Sequence, residues 1–210
     1  MHGSSAANFP PAMHANTDRG AGSTLGAMTV ARARSILEMQ FAASLEPCPQ
    51  CGTRSGAQDL SLAGQADAWA LTGNCPVCGL PRAFTFRSYG DPLDGAAPRD
   101  ELGGPSPSEI IAPARWIDEI ERLRPLVLAD PTQLDVDAWT ASRDANRRTL
   151  VCVNELRKFV PVGAERIPDA GAGDVRYAAA WMTAVREACL QTRARYIADL
   201  PRIEALMGPG

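Results

Sequence analysis

Between residues 28 and 45, in MTVARARSILEMQFAASL, the apolar side chains Val30, Ala33, Ile36, Leu37, Phe41 and Leu45 recur near the helical period. Arg32, Arg34, Glu38 and Gln40 fall elsewhere around the wheel. The spacing predicts a short amphipathic helix that runs into Pro47 and packs against whatever folds beside it. The period then changes. In 82–88, RAFTFRS, Phe84 and Phe86 lie on one side and Ala83, Thr85 and Arg87 on the other, the alternation of a strand. Residues 65–73, QADAWALTG, are compatible with a second strand, and a weaker one fits within 53–62. Together these predict a small antiparallel sheet.

Residues 89–105 are dense in Gly, Pro and Asp and predict a linker, centred on 91–105. Ser106-Pro107-Ser108-Glu109 then combines a hydroxyl N-cap, Pro at the first helical position and Glu at the third, which predicts a helix start. Apolar Ile110, Ile111, Trp116, Ile117, Ile120 and Leu123 follow, and Pro113 divides them into a short turn and a longer helix ending near Pro125. A long helix is expected over 135–159, with Trp139, Leu150, Val153, Leu156 and Val160 near one stripe and Pro161 and Gly163 closing it. After a loop at 161–174, a last helix over 175–200 turns Trp181, Val185, Cys189 and Ile197 inward, and Pro201 breaks or kinks it. The expected fold class is α+β: a small antiparallel sheet within 28–90, then an α-helical bundle over 106–207.

Composition narrows the class. At 210 residues with 45% apolar content, the chain suits one domain or two small ones. Its apolar stretches fall short of the roughly 18–20 residues a bilayer helix needs, so no membrane association is expected. Residues 1–27 are rich in Gly, Ser, Ala, Asn and Pro and lack the Lys/Arg-led apolar core of a secretion signal; they read as a disordered tail, with Met28 as an alternative start. The net charge of −3 is the wrong sign for a nucleic-acid footprint. Six cysteines without a signal peptide point to a reducing compartment, by default the cytoplasm.

The chemistry lies in the cysteines. Cys48-Pro49-Gln50-Cys51-Gly52 and Cys75-Pro76-Val77-Cys78-Gly79 share one local pattern. Two residues between cysteines let one tight turn present both sulfurs to a single ion, and the hairpin between the pairs brings the second turn alongside. Each following glycine is free to take positive φ and aim backbone N–H groups at the thiolates. So small a segment has too few large apolar side chains to hold itself together, whereas a structural zinc supplies on the order of 10 kcal/mol. Cys48, Cys51, Cys75 and Cys78 are therefore the candidate metal ligands, for one Zn²⁺ in a structural role. Four thiolates also suit iron, with Trp69, Phe84 and Phe86 screening the centre from water, and a redox dithiol is the third reading.

The two CPxCG knuckles over residues 46–88 resemble those of the zinc-ribbon family. The resemblance implies a structural zinc and a small antiparallel ribbon, in a family whose members serve transcription factors, RNA polymerase subunits, ribosomal proteins and adaptor modules. The longer arrangement, CPxCG, CPxCGxxRxFxFR and then GGPxPS, is also similar to bacterial proteins of unassigned role.

Elsewhere the bland readings dominate. His2 and His14 both lie in the tail, which leaves histidine-based acid–base or nucleophilic chemistry without a member. Gly103-Gly104 is read as a flexible lead-in to a helix rather than an anion nest. Cys152 and Cys189 are read as core filler. Trp69, Trp116, Trp139 and Trp181 are read as core anchors. Arg143, Arg147 and Arg148 form a basic step beside Asp137 and Asp144, read as a solvated, salt-bridged face. The function expected is a non-enzymatic, zinc-binding interaction or adaptor protein with a protein partner. The alternative is a nucleic-acid-associated regulator using the ribbon or the Arg143, Arg147, Arg148 face. Four Arg against seven acidic residues in 45–104 weigh against the ribbon as the nucleic-acid contact.

Overall fold

The hydroxyl of Ser35 accepts the Glu38 N–H at 3.1 Å and so caps the first helix, α1 (Ile36–Leu45). The structure is a computed structural model and describes residues 31–65, 68–89, 100–171 and 173–208. The expected tail at 1–27 and most of the expected linker, 91–99, lie outside the described residues.

The helix is shorter than its sequence pattern. Ala33, expected within it, instead forms a parallel bridge with Ser88, its N–H bonded to the Arg87 carbonyl at 2.7 Å. Leu37, expected inward, is 45% exposed, whereas Met39 and Ala43 are buried. A single stripe fails here because α1 is covered on two sides. Met39 and Ala43 meet the sheet, while Phe41 and Leu45 belong to the helical core.

The sheet has the order β1-β2-β3, with β1 at Leu60–Gln65, β2 at Ala68–Asn74 and β3 at Pro81–Arg87, all antiparallel. In its register Leu62, Leu71 and Phe84 stand side by side, and Trp69 faces Phe86. This face packs with Met39 and Ala43 of α1. The opposite face presents small and polar residues, among them Ser61, Thr72, Ala83 and Thr85, all exposed. The alternation read over 82–88 is observed, with Arg82, Phe84 and Phe86 inward.

The helical half comprises α2 (Pro113–Leu123), α3 (Val136–Arg157) and α4 (Ala179–Met207), with a 3-10 turn, Arg124–Leu126, after α2. No helix starts at Ser106. The Ser108 hydroxyl accepts the Ile111 N–H at 2.9 Å, closing a turn, and the Glu109 carboxylate takes the Arg32 N–H at 3.0 Å and the Tyr89 hydroxyl. With both polar groups spent this way, the helix waits for Pro113, whose ring holds Ala112 extended at ψ 153° and supplies the first helical φ. α3 starts where expected, the Asp135 carboxylate accepting the Ala138 N–H at 2.8 Å.

α4 departs from expectation twice. It continues through Pro201 to Met207, because Ile203 beyond the proline packs with Trp139 and Tyr196. Ile197 is 57% exposed rather than buried. Counting from Cys189, seven residues make nearly two full turns, so Tyr196 takes the inward place and Ile197 is carried past it. The main core joins Trp116, Ile117 and Ile120 of α2 to Leu150, Val153 and Leu156 of α3 and Met182 of α4. Trp116 and Trp139 are fully buried, and Trp69 and Trp181 are half-buried against core residues. The resulting chain is α+β, with the sheet ahead of the three later helices.

Three glutamates, Glu38, Glu119 and Glu155, have side chains wholly removed from solvent. Arg34 bridges Glu38 and Glu155 at 2.7 Å each, and Lys158 bridges Glu155 and Glu101 at 2.9 Å each. Residues 100–105, expected within a linker, take part: Leu102 is buried in the core, its N–H donates to Glu155 at 2.7 Å, and its carbonyl accepts from Ser35. Gly103 and Gly104 offer their carbonyls to Lys158, the reverse of an anion nest.

Candidate metal centre

Each knuckle is built by the same backbone bonds. In the first, the Cys48 N–H donates to the Thr53 carbonyl at 2.7 Å and the Gly52 N–H to the Cys48 carbonyl at 2.8 Å. In the second, the Cys75 N–H reaches Leu80 at 2.9 Å and the Gly79 N–H reaches Cys75 at 2.9 Å. Gly52 at φ 74° and Gly79 at φ 73° take the left-handed conformation that closes both turns. A Cβ at either glycine would meet nothing, so the backbone conformation, and not lack of space, calls for glycine there. α1 delivers the first knuckle through Pro47, which bridges to Arg54 beyond it, and the end of β2 delivers the second.

The two turns bring Cys48, Cys51, Cys75 and Cys78 together, with all four sulfurs within 4.8 Å of one another. Cys48 lies 3.5 Å from Cys78 and Cys51 lies 3.5 Å from Cys75, sulfur to sulfur. A tetrahedral ion with metal–sulfur bonds of about 2.3 Å needs sulfurs roughly 3.8 Å apart, so the arrangement fits one such ion with small adjustment. Cys48 and Cys75 are buried, Cys78 is half-buried and Cys51 is exposed.

Electrostatics distinguish the four thiols. The Thr53 hydroxyl and N–H both donate to the Cys51 sulfur and bring that thiol down to about 6. Burial resists ionisation of Cys48, yet the N–H groups of Cys51 and Gln50 outweigh it and lower the thiol. At Cys78 the Leu80 N–H favours the thiolate, but burial and the other three sulfurs push the thiol up to about 12. Four thiolates cannot gather here unless a cation neutralises them, which is the condition a soft divalent metal meets.

The remaining candidates separate from the site. Cys152 is fully buried and Cys189 nearly so; burial drives the Cys152 thiol well above its ordinary range and Cys189 up to about 11, so both fill the core as thiols. The basic step on α3 does not form one face. Arg143 and Arg147 are exposed, but Arg148, one residue and 100° further on, turns inward to Glu119 at 2.6 Å and lies over the Phe41 ring at 4.2 Å.

Sequence reasoning missed what surrounds the centre. Arg54, three residues past Cys51, donates to Glu119 of α2, which also receives Arg122 at 2.7 Å and Arg148 at 2.6 Å. Burial opposes ionisation of Glu119, but Arg122 and Arg148 outweigh it and hold the carboxyl down at about 2. The signal was present: Glu119 stands one helical turn after Trp116, on the same inward stripe as Ile120 and Leu123. Compared with known proteins, the chain matches no family model, no curated protein and no solved structure.

Proposed function

We propose that the four cysteines hold one structural zinc ion, and that the protein is a non-enzymatic, cytoplasmic interaction module whose ribbon the ion keeps in shape for a protein partner. The observation that carries this reading is the closed donor set. Four thiols at tetrahedral spacing fill every position of a tetrahedral ion and leave none for water or substrate. Soft sulfur donors favour zinc over harder divalent ions, and zinc brings no redox chemistry of its own.

The architecture supports the adaptor role. The ribbon is not a free appendage, because α1 is shared between the sheet and the helical core and Arg54 ties the first knuckle to α2. Metal binding therefore fixes the ribbon relative to the helices, and the exposed small-residue face of the sheet is presented in a set orientation.

The test is native mass spectrometry of the full chain as isolated. One zinc per chain, lost together in Cys48→Ser and Cys75→Ser, is the expected result. Iron instead of zinc overturns the metal assignment. Catalytic turnover abolished by a point change outside the cysteines overturns the non-enzymatic reading. Salt-dependent retention of DNA or RNA replaces the protein partner with a nucleic acid.

A further inference from the structure

Among the described residues the buried charged side chains are Glu38, Arg82, Glu119, Glu155 and Asp199. Each of the four carboxylates has an arginine beside it: Arg34 at 2.7 Å from both Glu38 and Glu155, Arg148 at 2.6 Å from Glu119, and Arg202 at 2.8 Å from Asp199. Arg82 is the exception. It is 7% exposed and makes no ion pair among the described residues. Its Nη2 donates to the Glu46 carbonyl at 3.0 Å and its guanidinium lies over the Phe84 ring at 4.9 Å, while its Nη1 is buried with no hydrogen-bond partner. The Glu46 carboxylate is turned to Arg115 instead, at 2.8 Å. A ring face and one carbonyl do not replace the anion that a buried charge requires.

The fold places this unmatched cation at the root of both knuckles. In the sheet register Arg82 stands opposite Gly73, two residues before Cys75. Leu71 and Cys75 are buried while Thr72 and Asn74 are exposed, so Arg82 and Cys75 share the inward side of the sheet. The carbonyl that Arg82 binds belongs to Glu46, two residues before Cys48. Cys48 and Cys75 are the two buried thiols of the four. A divalent ion held by four thiolates carries about two surplus negative charges, and those on Cys48 and Cys75 are the ones that water reaches least.

We propose that Arg82 is the counter-cation of the metal centre: its charge offsets part of the surplus on the thiolates of Cys48 and Cys75 and so strengthens their hold on the ion. The inference rests on the four-cysteine metal reading and adds to it a positioning residue outside the ligand set. Packing alone does not account for Arg82, because an apolar side chain could cover Phe84 without burying a charge.

The experiment uses the full chain loaded with Zn²⁺ or, as a spectroscopic probe, with Co²⁺. Arg82→Met keeps an unbranched stem over Phe84 and removes the charge, whereas Arg82→Lys keeps the charge and loses the planar fork. In competition with a chromophoric chelator, Arg82→Met is expected to hold Zn²⁺ about tenfold more weakly, and Arg82→Lys to recover most of that loss. With Co²⁺ bound, the sulfur-to-metal charge-transfer band of Arg82→Met is expected at longer wavelength, because sulfur lone pairs rise in energy once the nearby cation is gone. The ligand-field bands of the tetrahedral centre are expected to keep their positions, and Arg82→Lys to restore the charge-transfer band. Arg82→Gln, which keeps a donor for the Glu46 carbonyl, repeats both measurements if Arg82→Met does not fold. Native Zn²⁺ affinity without the charge overturns the proposal alone, as does an equal loss in Arg82→Lys with the charge-transfer band unmoved. Failure of the native chain to take up either ion overturns the four-cysteine reading and the proposal with it.

Discussion

The guanidinium of Arg54 donates to the carboxylate of Glu119, joining the first cysteine knuckle directly to α2. Glu119 is wholly buried while Arg54 keeps 36% of its side chain exposed, so the bond runs from the surface of the ribbon into the interior of the helical half. Arg148 and Arg122 complete the shell around the same carboxylate, and Arg148 also donates to Ser44 of α1 at 2.7 Å. One side chain on α2 thus gathers cations from the ribbon, from its own helix and from α3.

Replacing that side chain should be costly. Glu119→Gln keeps the shape but removes the charge, leaving Arg54, Arg122 and Arg148 close together with no anion between them. Breaking a buried ion pair by removing one partner costs about 3–5 kcal/mol, and partial exposure of the three arginines places this case near the lower figure. Urea unfolding should show the loss. A change below about 1 kcal/mol would mean that solvent already screens the cluster.

The same carboxyl makes stability depend on acid. Its folded value, about 2, lies below the ordinary 4.5, so the folded state favours the ionised form. Its contribution is complete above pH 4.5 and is lost as pH falls toward 2. The difference in unfolding free energy between the native chain and Glu119→Gln should therefore shrink across that window and stay level above it. Comparing the two chains cancels other acid-labile groups, including proton competition at the thiols. A difference that stays flat down to pH 2 would sink the assignment.

Removing metal should act first on the ribbon. The inward face of the sheet has only a small cluster around Leu60 and Leu71, whereas Leu150, Val153 and Leu156 of α3 sit in the larger core. Chelation of the full chain is expected to raise amide exchange across β1, β2 and β3 far more than in the middle of α3. Uniform exchange in both halves would show instead that they unfold as one unit.

How much of this could be read beforehand depended on what each signal requires. The two CPxCG turns were legible because a metal knuckle is specified locally, by residues adjacent in sequence. Phe84 and Phe86 announced their strand because one face is buried and the other exposed. The capping box at Ser106 misled, since Glu109 is claimed by Arg32 and Tyr89, from parts of the chain that no local rule brings near. Glu119 and Glu155 escaped notice for the same reason: charged residues on inward helix positions find their partners only in three dimensions.

Pro201 is the clearest case of packing overruling local preference, and it yields its own expectation. The proline cannot donate to the Ile197 carbonyl, yet the helix holds because Ile203 packs with Trp139 and Tyr196. Pro201→Ala restores the missing donor at an exposed position, and the greater freedom of the unfolded chain offsets part of the gain. A net stabilisation of about 1–2 kcal/mol is expected from thermal unfolding. A lower melting temperature would show that the proline fixes a bend which α4 needs.

Two glycines separate conformational strain from steric exclusion. At Gly52 the backbone is left-handed but a Cβ would meet nothing, so Gly52→Ala should cost only the left-handed penalty, about 1–2 kcal/mol, and Gly52→Asn less. At Gly73 the strand backbone is ordinary, but a Cβ would lie 2.1 Å from the Asp59 carbonyl oxygen. That oxygen belongs to the main chain of the 3-10 turn leading into β1, and it cannot yield without opening the Leu60–Gly73 pairing. Gly73→Ala should therefore lower the unfolding temperature more than Gly52→Ala, although it lies farther from the nearest thiol along the knuckle. Chelator competition should place the larger loss of metal affinity with Gly73→Ala as well, since the ion is held only while the sheet keeps the two turns together. Equal or reversed effects would mean that each knuckle binds as a local loop, independent of the strands that carry it.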